Sequence, residues 1–200
     1  MTSIGIIGAG QIGRAIATAL ARHAVPATLA NSRGPENLAE TVATLGEDIT
    51  AGTREEAASK DIVFVAVNWS KLETALAGLP DFAGRIVVDA NNPIEAPLFK
   101  PFDLGARSSS EVLAGLVPGA RVVKAFNHLQ PGLVSGDPAE RGGRRVLFYS
   151  GDDAQAKAQV GALIDRLGFF GIDLGTLAVG SRLVQFPGGP LPALYLVKFD

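Results

Sequence analysis

The sequence predicts an α/β fold: a doubly wound, mainly parallel sheet with helices on both faces and a small C-terminal extension. Three observations predict it. Short apolar, β-branched runs alternate along the chain with segments of helical period. Several of those runs, "DIVFVAV" from Asp61 to Val67 among them, lack the polar alternation of a half-exposed strand, as strands covered on both faces should. A glycine-rich turn joins the first run to the first helical segment.

Taken in order, Ser3 to Gly8 reads as the first strand. The helix after it carries Ile12, Ala15, Ile16, Ala19 and Leu20 at spacings of three and four, which places them on one buried stripe. Ala27 to Asn31 reads as the second strand, and a helix follows Gly34-Pro35 to about Leu45, with Pro35 suited to its first turn. A brief strand near Ile49 leads to Thr53-Arg54-Glu55-Glu56, a capping-box pattern in which hydroxyl and carboxylate satisfy orphan helix amides. "RIVVDA" from Arg85, "ARVVKAF" from Ala120 and "RRVLFYS" from Arg144 read as further strands. Val160, Leu163, Ile164 and Leu167 trace a helix face that stops at Gly168, and a last strand spans about Phe170 to Leu174. The tail "FPGGPLPALYLVKF" has no pattern that assigns it a fold; its apolar residues need cover, from the body of the domain or from a second copy of the chain.

Composition narrows the function. With 200 residues the chain suits one domain over 1–200, with residues 176–200 as a packing or dimerisation segment. A hydrophobic fraction of 47%, a charged fraction of 19% and a net charge of -2 give a globular protein with no basic field for nucleic acid. No apolar run reaches membrane-spanning length and no leader pattern opens the chain, so a cytoplasmic protein is expected. Zero cysteines exclude thiolate chemistry, and two histidines leave little for a metal cage, so no metal site is expected. There is also no serine nucleophile elbow and no paired carboxylates at a convincing spacing.

The most informative motif is Gly8-Ala9-Gly10-Gln11-Ile12-Gly13, between the first strand and the first helix. It fits a dinucleotide fingerprint: Gly8 for the tight turn, Gly10 for close approach of a pyrophosphate, Gly13 for close helix–strand packing, and a helix N-terminus with free amides. At the end of the second strand, NAD-selective proteins place a carboxylate that would repel a 2′-phosphate. This chain has Asn31, Ser32 and Arg33 there, an amide and a hydroxyl that can donate and a guanidinium able to pair with phosphate. The expected cofactor is therefore NADP(H).

Beyond the fingerprint, "IGIIGAGQIG", "NSRGP", "VVDANNP" from Val87, "VVKAFN" from Val122 and "YSGDDAQAKAQVGALIDRLGF" with the following "DLG" together resemble the F420-dependent NADP oxidoreductases. That family includes NADPH-dependent reductase relatives such as the cytosolic reductase domain of membrane ferric reductases. The resemblance implies a Rossmann-type domain, often dimeric, that passes a hydride between NADP(H) and a deazaflavin (F420) or flavin. By the resemblance, Gly8, Gly10, Gln11 and Ile12 match the pyrophosphate loop, and Ser32 and Arg33 match the 2′-phosphate site. Strand-end residues Val67, Asn68, Trp69, Ala90, Asn91 and Ala125 are further candidates for the cofactor site, with Trp69 a candidate wall of the nicotinamide or flavin pocket. Asn127 and His128 are candidates to guide the acceptor, with Trp69, Phe126 and the C-terminal aromatics as walls. Two positions depart from the family: Asn68 stands where a proline is common, and His128 where a small hydroxyl residue is common.

Three functions stay open on the residues alone. A small-molecule hydride acceptor that is a planar heterocycle needs stacking and exclusion of water more than side-chain chemistry. A small carbonyl or imine substrate needs a proton donor, for which His128 or Lys124 is available. A sensor would bind NADPH without turnover and offer its apolar tail to a partner.

Overall fold

The computed structural model describes residues 2–95 and 99–199. Its first half runs β1 (Ile4–Ile7), α1 (Gln11–Arg22), β2 (Ala27–Ala30), α2 (Ala39–Leu45), β3 (Ile49–Gly52), α3 (Arg54–Ala58), β4 (Ile62–Val65), α4 (Leu72–Leu76) and β5 (Ile86–Asp89). A two-stranded hairpin of β6 (Ile94–Glu95) and β7 (Lys100–Pro101) follows, then α5 (Ser109–Ala114), β8 (Arg121–Ala125) and α6 (Pro131–Ser135). The last part holds β9 (Ala139–Glu140), β10 (Gly143–Gly151), α7 (Ala154–Arg166), β11 (Phe170–Asp173), α8 (Arg182–Val184) and β12 (Val197–Lys198).

The principal sheet has the order β11-β10-β8-β5-β4-β1-β2-β3. All of its neighbours are parallel except β8 and β10, which run antiparallel. The chain builds β1 to β3 outward on one side, returns to β4 beside β1, and continues outward on the other. That reversal opens a crevice above the carboxyl ends of β1 and β4, where ligands of open α/β sheets bind.

Alternate residues of each strand feed two separate cores, which is why the strands read as unbroken apolar runs. Ile4 and Ile6, Leu29, Phe64, Val88 and Val123 face α1 and α7, where Ile16, Leu20, Val160 and Ile164 meet them. Ile7, Ala30, Val63, Val65 and Val87 face the other way, onto Ala57 of α3, Leu72 and Leu76 of α4 and Leu113 of α5. Helices on both faces make this a Rossmann-type, doubly wound fold.

The capping box at Thr53 forms as its sequence pattern implies: the Thr53 hydroxyl accepts from the Glu56 amide and the Glu56 carboxylate accepts from the Thr53 amide. Ser108 and Glu111 repeat it at the start of α5. Gly168, with φ +85°, ends α7. The segment after Gly34 differs from the expected continuous helix, since a 3-10 turn over Pro35–Leu38 precedes α2.

The tail also gains a structure that its pattern does not reveal. A π-helical turn over Leu177–Ser181 runs into α8, and β12 pairs antiparallel with the start of β10. Between them the Ala193 amide donates to the His128 carbonyl, and the Val146 amide to the Leu196 carbonyl. Phe186, Leu194, Tyr195, Leu196 and Phe199 stay exposed. Among the described residues, no helix is long and apolar enough to cross a membrane.

Candidate dinucleotide site

The turn from β1 to α1 shows why its three glycines are not equivalent. Gly8 has φ +114°, and a Cβ there would lie 2.2 Å from the Ala66 carbonyl oxygen on the neighbouring chain after β4. A Cβ on Gly13 would lie 1.8 Å from the Gly8 carbonyl oxygen, so α1 can sit this close to the turn only with glycine there. Gly10 is different: its φ of -75° and ψ of -168° suit any residue, and a Cβ would meet nothing within 4 Å. The open space above Gly10 is the N-terminus of a twelve-residue helix with no side-chain cap and no acidic residue in its first turn. Such a terminus offers free amides and a positive dipole end to an anion. Gln11 is exposed beside it, while Ile12 is half-buried and packs toward the α1 core.

A cleft of about 500 Å³ runs from this turn across the ends of β1, β2 and β4. Gly8, Gly10, Asn31, Ser32, Arg33, Val67 and Asn68, all expected from sequence, line it. Asn31 closes a local turn, its Oδ1 accepting from the Arg33 amide at 2.8 Å. Asn37 Nδ2 donates to the Arg33 carbonyl at 3.0 Å, which fixes the loop further. The Asn31 Nδ2 is buried and has no partner in the structure, a donor available to a ligand. Ser32 and Arg33 are exposed at the cleft rim.

Three cations that sequence reasoning missed line the same cleft: Arg14, Arg54 and Lys71. Arg14 is held by its Nε donating to the Ala9 carbonyl at 2.8 Å, and Arg54 donates to the Thr74 and Ala75 carbonyls at 3.1 Å each. Among the described residues no carboxylate lines the cleft, although Arg54 pairs with Glu55 beside it at 3.4 Å. The available signal was position, since Arg54 opens the helix after β3 and Lys71 closes the turn after Asn68, both at carboxyl ends of strands.

Toward the far half of the cofactor path, several expected contacts prove to be structural. Trp69 is buried in the core of the α4 face, with Leu72, Leu76 and Leu177 in the same cluster, instead of forming a pocket wall. Phe126 is fully buried between Phe64 and Phe169, at ring-centroid distances of 5.4 and 6.4 Å, and so is not a wall either. Ala90 and Ala125 belong to the α1 core and present almost no surface to a ligand. Asn127 spends both Nδ2 hydrogens within the protein, on Asn92 Oδ1 at 2.9 Å and on the Val184 carbonyl at 2.7 Å. Asn92 Oδ1 also accepts from the Phe186 amide, so this pair ties the tail to the strand ends.

His128 is 5% exposed, with its ring 5.1 Å from that of Phe148. Burial pushes its pKa down to about 4, the nearby Lys124 charge adds to this, and a backbone hydrogen bond at Val146 opposes it. At neutral pH it is therefore an uncharged buried imidazole, unsuited to proton delivery.

Asn91 is 3% exposed and its amide is committed inside the protein. Its main-chain N–H and Nδ2 donate to Asp89 Oδ1 at 3.0 and 2.8 Å, and its Oδ1 accepts from the Val67 amide at 2.8 Å. Asp89 Oδ2 accepts from Ser110 Oγ at 2.7 Å and from Lys124 Nζ at 3.1 Å. Lys124 also donates to the Asn91 carbonyl and to Ser109 Oγ. Both charged side chains are fully buried. Burial lowers the Lys124 pKa, and the Asp89 carboxylate opposes that shift.

The family model for coenzyme F420-dependent NADP oxidoreductases matches residues 3–93, the stretch that contains β1 to β5 and the cleft. A crystal structure of a hypothetical protein, SMa0349, from Sinorhizobium meliloti is 45% identical, with a TM-score of 0.93 over 99% of this chain and 96% of that one. A candidate F420-dependent NADP reductase from Arthrobacter sp. FB24 is 29% identical, with a TM-score of 0.75 over 88% of this chain and 86% of its own. The metalloreductase STEAP3 of Rattus norvegicus is 31% identical over 95% of this chain, which spans only 37% of that protein. The chain thus covers little more than a third of the length of the curated relatives it matches. The glycine turn, the Asn31–Arg33 loop and these similarities lead to one conclusion: over residues 3–93 the chain matches the coenzyme F420-dependent NADP oxidoreductase family.

Proposed function

We propose that the chain is an NADPH-dependent reductase whose hydride acceptor is a planar deazaflavin or flavin. Gly10 is the observation that carries the cofactor. Neither its backbone angles nor its neighbours demand glycine, whereas close approach of a phosphate does. Gly10 and the first amides of α1 would hold the pyrophosphate, and Ser32 and Arg33 the 2′-phosphate. Arg14 and Lys71, with Arg54 paired to Glu55 beside them, add positive charge to a cleft with no carboxylate among its described lining residues, which favours the phosphorylated dinucleotide. The bound cofactor would supply the hydride from its nicotinamide ring.

What the protein then contributes is binding, orientation and exclusion of water. The planar acceptor is favoured because the side chains best suited to donate a proton to a small substrate are withdrawn. Lys124 is fully buried against Asp89, and His128 is buried and neutral at pH 7. The exposed ring of Phe186, 6.5 Å from that of Phe99 and tethered through Asn92 to the end of β5, supplies aromatic surface near the strand ends.

Two measurements test the reading. NADPH oxidation is followed with F420, FMN, FAD, riboflavin and ferric chelates, and turnover is expected with a planar heterocycle. In parallel, Arg33→Ala should weaken NADPH binding about tenfold, the loss of one charge-assisted phosphate contact, and leave NADH almost unchanged. Equal losses for the two dinucleotides would refute the 2′-phosphate assignment.

A further inference from the structure

The buried pair Lys124 and Asp89 has no place in the binding or transfer roles above, yet it lies at the ends of β8 and β5, with Asp89 in register with Val65 at the end of β4. Four links connect it to the cleft. Lys124 Nζ donates to Asp89 Oδ2; Asp89 Oδ1 accepts both from the Asn91 main chain and from Asn91 Nδ2; Asn91 Oδ1 accepts from the Val67 amide; and Val67 lines the cleft. Lys124 closes the circuit by donating to the Asn91 carbonyl. A primary amide with its oxygen and a nitrogen both engaged, and its main chain held at both N–H and C=O, has one orientation available to it.

We infer that Asn91, clamped by the Lys124–Asp89 pair, is the positioning residue for the nicotinamide half of the dinucleotide, acting by fixing the backbone where β4 gives way to the Val67–Asn68 loop. The inference rests on the NADPH reading. The adenosine half belongs on the β2 side of the reversal, at Asn31 to Arg33, and the nicotinamide half must cross toward β4 and β5. Asn91 touches no part of the cleft itself, so its effect passes through Val67. It is selective for the ligand half that lies there.

The prediction follows from that selectivity. Asn91→Leu keeps the branched four-atom shape, though with bulkier methyl groups, and can neither accept from Val67 nor donate to Asp89. Titration of wild type and variant with NADPH and with 2′,5′-ADP, which lacks the nicotinamide riboside, should split the two ligands. The NADPH Kd is expected to rise about tenfold and the 2′,5′-ADP Kd to change by less than about twofold. The emission of bound NADPH, which reports the surroundings of the reduced nicotinamide, should shift back toward that of free NADPH.

A merely structural role predicts parallel losses for both ligands, and that result overturns the inference, as does no loss for either. If Asn91→Leu does not fold, Asn91→Ser, too short to reach the Val67 amide, carries the same expectation. Wild-type protein that binds neither ligand would overturn the NADPH reading and the inference with it. Wild-type protein that binds both, with a variant that fails to separate them, would overturn the inference alone.

Discussion

Replacing Gly10 and Gly13 by alanine, one at a time, should break two different properties of the same turn. Gly13→Ala puts a Cβ 1.8 Å from the Gly8 carbonyl oxygen, roughly 1 Å inside the closest approach that packed atoms tolerate. Relief requires α1 to lift from the turn. Overpacking of this kind costs about 1–3 kcal/mol, and backbone rather than a flexible side chain being the obstacle puts the cost at the upper end. The helix preference for alanine returns at most about 1 kcal/mol. A net loss of about 2 kcal/mol lowers the melting temperature by about 4–8 °C for a chain of this length. Gly10→Ala, with nothing within 4 Å of its Cβ, should change stability by less than about 0.5 kcal/mol. Its methyl group instead occupies the space over the amides of α1, so NADPH affinity should fall about tenfold or more, or about 1.4 kcal/mol. Thermal melts without ligand and NADPH titrations by fluorescence read the two effects. Similar melting losses for both variants, or an unchanged NADPH Kd in Gly10→Ala, would refute the assignment of Gly10 to the ligand.

Three further outcomes follow from buried and capping groups. The folded-state pKa of His128, about 4, lies below its ordinary 6.5, so between those values the unfolded chain binds more protons than the folded one. The stability this site contributes is complete above pH 6.5 and is lost as pH falls toward 4. The whole effect is about 3 kcal/mol. Melts from pH 7.5 down to about pH 4.5 should show this decline in wild type and a shallower one in His128→Gln; identical slopes would exclude His128 as the source. Near neutral pH, the same variant should leave the shape of the pH–turnover profile unchanged. Thr53→Ala, which removes one half of the box that starts α3, should cost about 1 kcal/mol and lower the melting temperature by about 2–4 °C.

The sheet was legible in the sequence because strands such as "IVFV" are buried on both faces and need apolar residues throughout. The glycine turn was legible because each glycine answers a separate local demand. Burial at the strand ends was not. Trp69, Phe126 and His128 follow strands that point toward the crevice, yet all three side chains lie in packed interior. Phe126 sits at φ +65°, a conformation that its sequence neighbours do not announce. The polar circuit beside β4 was hidden for another reason: Asp89, Ser110 and Lys124 are brought together only by the pairing of β5 with β8 and the packing of α5. The cleft cations Arg14, Arg54 and Lys71 come from three helical segments, and no local pattern connects them.

The long strand β10 has a consequence for how the chain assembles. Its second half lies between β8 and β11, while its first half bonds to β9 and β12. The β12 partners of Arg144 and Arg145 are therefore Lys198 and Val197, far from them in sequence. Without β12, the start of β10 would be an open strand edge beside the nucleotide-binding half, able to pair with another chain. Arg144 and Arg145 are ion-paired there with Asp165 and Glu140, at 2.7 Å each, so the cover given by β12, not charge repulsion, protects that edge. By pairing there, β12 removes a strand edge that would otherwise be adhesive.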